Sequence, residues 1–162
     1  MSPGELNDDC MAEASTIARI AQDRGLRIAC AESLTSGAIA SHLGAAGSAS
    51  EWFAGGVVAY SSQLKFDLLG VEHGPVVTAA SAAQMARGVA KLADADHALA
   101  VTGEGGPEPE EDAPVGTVYI AVWDGGVEEV REFHFDGDPG EIVHATVLHA
   151  LRMLRAAVER CQ

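Results

Sequence analysis

Two apolar runs, LRIACA at 26–31 and HALAVTG at 97–103, each give way almost at once to a polar loop carrying glycine. An uninterrupted apolar run of this length, closed by turn signals, reads as a strand buried on both faces. Such strands need helices packed on either side of their sheet, so the pair constrains the architecture more than any other feature. Helical spacing of Met11, Ala14, Ile17, Ile20 and Ala21 predicts an amphipathic helix over 8–24, with Gly25 as its C-cap and residues 1–8 as a flexible N-terminus. AIASHLGAA, SSQLKFDLLG, the stretch from Thr78 to about Leu92 and the stretch from Asp138 to the C-terminus predict four more helices. Ser61 or Ser62 would cap the second of these and Thr78 the third. VVAYS reads as a strand, and GTVYIAVW and VEEVREFHF around Asp124-Gly125-Gly126 read as a hairpin. The expected fold is α/β: one three-layer α/β/α sandwich over residues 9–162, with a mixed sheet.

The size of 162 residues suits one domain with one core. A formal net charge of −14 argues against a nucleic-acid or anionic-membrane partner, since neither surface would attract it. There is no run of about 18 apolar residues, so no membrane span is expected. The acidic start MSPGELNDDC does not fit a signal peptide, and the cytoplasm is the expected location. Cys10, Cys30 and Cys161, odd in number and irregular in spacing, give neither a disulfide framework nor a zinc site, and Cys30 reads as a buried small hydrophobe.

In an open α/β sheet, ligands gather beyond the carboxyl ends of the strands. AESLTSG and TGEGGP both stand at such ends, and they would face one crevice if their strands are parallel neighbours. Backbone N–H groups at the helix start after AESLTSG would attract an anion, aided by the hydroxyls of Thr35 and Ser36, although an ordinary capped helix serves as well. No GK[ST] follows, so this is no Walker A loop. The acidic run of Glu108, Glu110, Glu111 and Asp112 lacks the alternation of an EF-hand and reads as a solvated loop. No pair among the six histidines, His42, His73, His97, His134, His144 and His149, has H-E-x-x-H spacing, and they read as ordinary surface or core-edge residues.

GSASEWFAGGVVAYSSQLK, residues 47–65, sets Ser50, Tyr60 and Lys65 in apolar company. A serine hydroxyl needs a base to become a nucleophile, and a neutral lysine can serve. That requires the lysine pKa to fall from about 10.4 towards 7 or 8. Burial would lower it and nearby carboxylates would raise it. Spacing alone leaves ordinary surface and core-edge roles open for all three.

Taken together, AESLTSG, GSASEWFAGGVVAYSSQLKFDLLGV and AVTGEGGPEPEEDAPVGTVYIAV closely resemble the CinA C-terminal domain family, over about residue 10 to the C-terminus. The family includes nicotinamide-nucleotide amidohydrolases and the C-terminal half of competence/damage-inducible proteins. The chain resembles its standalone form, without the molybdopterin-binding-like N-terminal domain. The resemblance implies deamidation of nicotinamide mononucleotide to nicotinate mononucleotide and ammonia, without metal or cofactor, in pyridine-nucleotide salvage. It implies Ser50 as nucleophile, Lys65 and Tyr60 as its proton handlers, and a homo-oligomer, a dimer or larger. It also implies pocket walls from the two loops, with Glu32, Ser33, Thr35, Ser36, Gly37, Thr102, Gly103 and Gly105 as substrate contacts. The chain departs from the family pattern at Ser36, Glu104 and Ala113, and at Pro139 and Val143, where arginine is common. Those changes leave open a serine amidohydrolase for another small amide, or a nucleotide-binding domain without turnover.

Overall fold

Ser2 and Glu5 start the first helix. In the computed structural model, which describes residues 2–160, α1 spans Pro3–Arg24. The Ser2 hydroxyl accepts from the Glu5 amide while the Glu5 carboxylate accepts from the Ser2 amide, a reciprocal capping box. Pro3 at the first helical position is pre-set for helical φ. Residues 3–8 are therefore helical, not the flexible stretch that the sequence suggests. Gly25 caps the other end with φ 64°, as expected.

The remaining elements follow in the order β1 (Ile28–Glu32), α2 (Ala38–Ala45), α3 (Ala49–Trp52), β2 (Phe53–Val58), α4 (Ser62–Leu69), α5 (Ala79–Ala93), β3 (His97–Gly103), β4 (Thr117–Trp123), β5 (Glu128–His134) and α6 (Pro139–Arg160). Ser61 and Thr78 cap α4 and α5 by accepting from the amides of Leu64 and Ser81. The expected strand VVAYS lies further on than β2, which begins at Phe53 and takes in Gly55 and Gly56. Gly56 belongs in a strand here because a Cβ on it would sit 2.8 Å from Cys30 Sγ.

The sheet order is β2-β1-β3-β4-β5. β1 pairs in parallel with both β2 and β3, while β3/β4 and β4/β5 are antiparallel, so the sheet is mixed. Side chains alternate across it. Ile28, Cys30, Leu99, Val101, Ile120 and Val122 pack under α1, α2 and α6. Ala29, Ala31, Ala98, Ala100 and Ala121 face α5 and Leu69 of α4. The two faces make the three-layer sandwich expected of this sequence.

Cys10 and Cys30 are buried free thiols; Cys161 lies outside the described residues. Among the described residues no helix is long and apolar enough to cross a membrane.

The α4–α5 contact is close because of Gly88. A Cβ there would lie 2.0 Å from the carbonyl oxygen of Leu69, which is backbone and cannot rotate away. Gly88→Ala must push α4 off α5. We expect it to cost about 2 kcal/mol or more, read from the urea midpoint at unchanged m-value. A loss below half that would show that the two helices separate freely.

Candidate active site

The parallel pairing of β1 with β3 brings the two glycine-bearing loops side by side beyond the carboxyl ends of these strands. β2, on the other side of β1, delivers the chain into α4 at the same end. A cavity of about 350 Å³ opens there. Its walls include Ser33 and Leu34 after β1, Tyr60, Ser61, Ser62 and Lys65 around the start of α4, Val76 and Val77, Thr102 through Gly106, and Pro139 and Val143 of α6.

Lys65 lies inside the cavity wall, only 2% exposed. Its Nζ donates to Ser33 Oγ at 2.9 Å and to the Tyr60 carbonyl at 3.1 Å. Burial pushes the Lys65 ammonium below its ordinary pKa, while the Glu111 and Glu110 carboxylates pull it part of the way back. Ser33 is itself buried. A buried serine in hydrogen-bond contact with a lysine depressed in pKa is the geometry that activates a hydroxyl.

Of the three residues that the resemblance implies as catalytic, the structure brings two together. Tyr60 and Lys65 share the cavity, with the Tyr60 side chain largely exposed at its rim. Ser50 is elsewhere. It sits on α3, before β2 begins, whereas the cavity lies beyond the end where β2 finishes. Six residues of strand at about 3.3 Å each separate the two ends by roughly 20 Å. Ser50 is exposed. The serine beside Lys65 is Ser33, which the sequence suggests only as a substrate contact.

The expected contact residues also divide. Ser33, Thr102, Gly103 and Gly105 line the cavity; Glu32, Thr35, Ser36 and Gly37 do not. Glu32 is fully buried, and its carboxylate occupies the start of α2. Oε1 accepts from Thr35 Oγ1 at 2.6 Å, from the Gly37 amide at 3.2 Å and from the Ile39 amide at 3.0 Å, and Oε2 accepts from the Ala40 amide at 2.9 Å. The anion that this helix start attracts is supplied by the chain itself. Thr102 donates its hydroxyl to the Val76 carbonyl at 2.9 Å and so braces the loop between α4 and α5.

The acidic loop is more than a solvated run. Glu104 is buried, and its carboxylate accepts from the amides of Glu110 and Glu111 at 2.9 and 2.8 Å. Glu111 in turn accepts from the amides of Val76 and Val77, with contacts of 2.8–3.1 Å. This relay closes one side of the cavity. Sequence showed Glu104 beside the pocket but gave no signal for the role of Glu111, because its partners are backbone amides more than thirty residues away. Among the described residues no group of three His, Cys, Asp or Glu side chains could hold a metal ion.

The CinA C-terminal domain family model matches residues 11–158. The CinA-like protein of Geobacter metallireducens is 41% identical over 147 residues, which make up 87% of this chain and 36% of that protein. The CinA-like protein of Frankia casuarinae is 37% identical over 137 residues, 82% of this chain and 32% of that protein. The chain thus spans about a third of the length of the curated relatives it matches. Among solved structures, the competence damage-inducible protein A of Klebsiella pneumoniae superposes with a TM-score of 0.90 at 33% identity, over 94% of this chain and 99% of that one. A competence/damage-inducible protein of Agrobacterium tumefaciens gives 0.87 at 34% identity, over 92% and 95%.

Proposed function

The chain belongs to the CinA C-terminal domain family, and from that membership and the buried contact between Lys65 and Ser33 we propose a serine–lysine amidohydrolase acting on a small carboxamide. The contact at 2.9 Å carries the reading.

In the active form Lys65 is neutral and accepts the Ser33 proton as Oγ attacks the amide carbon. A tetrahedral oxyanion forms. The amides of Gly105 and Gly106, which border the cavity and donate to no group among the described residues, are the donors on offer to it. Lys65 then passes its proton to the leaving nitrogen, the C–N bond breaks, and ammonia departs. Water attacks the Ser33 ester with Lys65 again as base, releasing the carboxylate and restoring the hydroxyl. The Tyr60 carbonyl keeps Nζ aimed at Ser33 throughout.

The family resemblance makes nicotinamide mononucleotide the first substrate to test, with nicotinate mononucleotide and ammonia as products. The test is ammonia release by wild type and by Lys65→Ala, the variant first shown folded by its circular dichroism. Turnover lost in Lys65→Ala supports the reading. No turnover of any small carboxamide by a folded wild type overturns it and favours a domain that binds without reacting.

The pH profile should carry the mark of Lys65. Because the base is the neutral amine and its pKa is depressed, kcat/KM should rise with pH and level off below the usual lysine range. Glu110 raises that pKa through its charge. Glu110→Gln should therefore shift the acid limb to lower pH. An unmoved limb would assign it to another group.

We also propose that a second copy covers the edge strand β2. Val58, Tyr60, Leu64 and Leu68 are exposed along that edge and the adjoining α4. Sedimentation equilibrium of Leu64→Glu, with the wild type as reference, tests this; an unchanged mass would sink it.

A further inference from the structure

The chain has ten lysines and arginines. Among the described residues only Lys65 of these lines the cavity, and its ammonium is already spent on Ser33 and the Tyr60 carbonyl. Four carboxylates, those of Glu104, Glu108, Glu110 and Glu111, border the same space. A sphere of 350 Å³ is about 9 Å across, close to the screening length of about 8 Å at physiological salt, so a bound ligand feels all of them. Pro139 and Val143, at the α6 side, add no cation.

Several of the features that bind phosphate without cations are also spent, and the amides of Gly105 and Gly106, free among the described residues, are the ones offered to the reaction's oxyanion. Adjacent amides at Val76 and Val77 would cradle an anion, but Glu111 occupies them. The α2 start holds Glu32. At the start of α6 the Asp138 carboxylate accepts from the Glu141 amide, and Pro139 has no N–H to give. Glu108 and Glu110, by contrast, are exposed carboxylates whose side chains make no hydrogen bond or ion pair among the described residues. Cavity volume does not separate the ligands, since about 300 Å³ already suits a small organic molecule. Charge does.

Resting on the amidohydrolase reading above, we propose that the substrate of this site is a small carboxamide on a cationic ring, without a phosphate, and that Glu108 and Glu110 select it by charge. A dianionic phosphate would enter a field of its own sign with no free cation among the described residues to pair with. A cationic ring meets two free carboxylates at the mouth. The reaction also converts the neutral amide to a carboxylate, which the same glutamates repel, so the charge that admits substrate helps to expel product.

The test compares ammonia release by the full chain from 1-methylnicotinamide (methylated on the ring nitrogen, a pyridinium cation), nicotinamide, nicotinamide riboside and nicotinamide mononucleotide. We expect kcat/KM for the riboside to exceed that for the mononucleotide at least tenfold, and 1-methylnicotinamide to exceed neutral nicotinamide. In Glu108→Gln/Glu110→Gln both preferences should shrink several-fold. A preference for the mononucleotide, or preferences that the double variant leaves intact, overturns the proposal. If no amide is turned over, the amidohydrolase reading fails, and calorimetric Kd values on Ser33→Ala decide the charge preference alone. Tighter binding of the riboside than of the mononucleotide upholds it; the reverse order, equal affinity or no binding overturns it.

Discussion

Ser33→Ala should abolish amide hydrolysis, by roughly a thousandfold or more in kcat, while Ser50→Ala should leave it within about twofold. The contrast follows from position. Ser33 Oγ touches the buried Lys65 amine, and Ser50 lies on an exposed turn at the far end of β2. Neither change removes core volume, so both proteins should fold, and thermal unfolding confirms that before kinetics are compared. The second half of the prediction matters as much as the first. A large loss in Ser50→Ala with Ser33→Ala active would reverse the assignment of the nucleophile. Losses in both would mean that the α3 turn reaches a site through a neighbouring copy.

Glu32→Ala should be the most damaging single change to stability among residues at this end of the sheet. Five donors converge on its carboxylate: the Thr35 hydroxyl, the amides of Gly37, Ile39 and Ala40, and, at 4.0 Å, the Cys30 thiol. Removing the acceptor strands several of these in or near the core, each at about 1–3 kcal/mol. Partial hydration of the loosened loop offsets some of this, leaving a loss of about 4 kcal/mol. Glu32→Gln keeps one carbonyl oxygen but turns an amide N–H towards donors, so about half that loss is expected. Since Ser33 is the next residue, activity should fall with stability in the alanine variant even below its unfolding temperature. Denaturant unfolding followed by fluorescence measures the stability loss and ammonia release below the unfolding temperature measures the activity, and a stability loss under about 1 kcal/mol would show that water replaces the carboxylate without strain.

Elements with strong local signals were legible in the sequence. β3 spans the residues that its apolar run marks, the hairpin turns at Asp124-Gly125-Gly126, and Gly25, Ser61 and Thr78 cap the helices that they adjoin. The crevice between the two loops followed from treating their strands as parallel neighbours. What was lost depended on distant partners. The glycines of FAGGVV look like punctuation until Cys30 is seen packed against Gly56, and with them went the true start of β2. Placing that strand correctly separates Ser50 from Tyr60 and Lys65 by its full length. Ser33 could be recognised as a loop residue near a ligand, but its contact with Lys65 spans 32 positions and exists only in the folded sheet. Glu104 and Glu111 show only an acidic run until the amides that they hold are known.

The sheet's two faces differ in grain, and this sets how the protein can vary. Towards α5 the central strands β1 and β3 offer alanines, with the larger Val57, Tyr119, Trp123 and Val130 only partly buried around them, so the middle of that layer is already at minimum bulk. Truncation can take almost nothing from β1 and β3 there, and any enlargement must move α5, and through Leu69 the helix that carries Lys65. Towards α1 and α6 the strands offer leucine, isoleucine and valine, where shortened side chains leave holes, and of these two helices it is α6 that meets the cavity, at Pro139 and Val143. Drift in one layer is paid in stability; drift in the other reaches the reacting groups. A chain built this way tolerates shortened side chains on its α1 side at a cost in stability alone, while its alanine layer has to stay small.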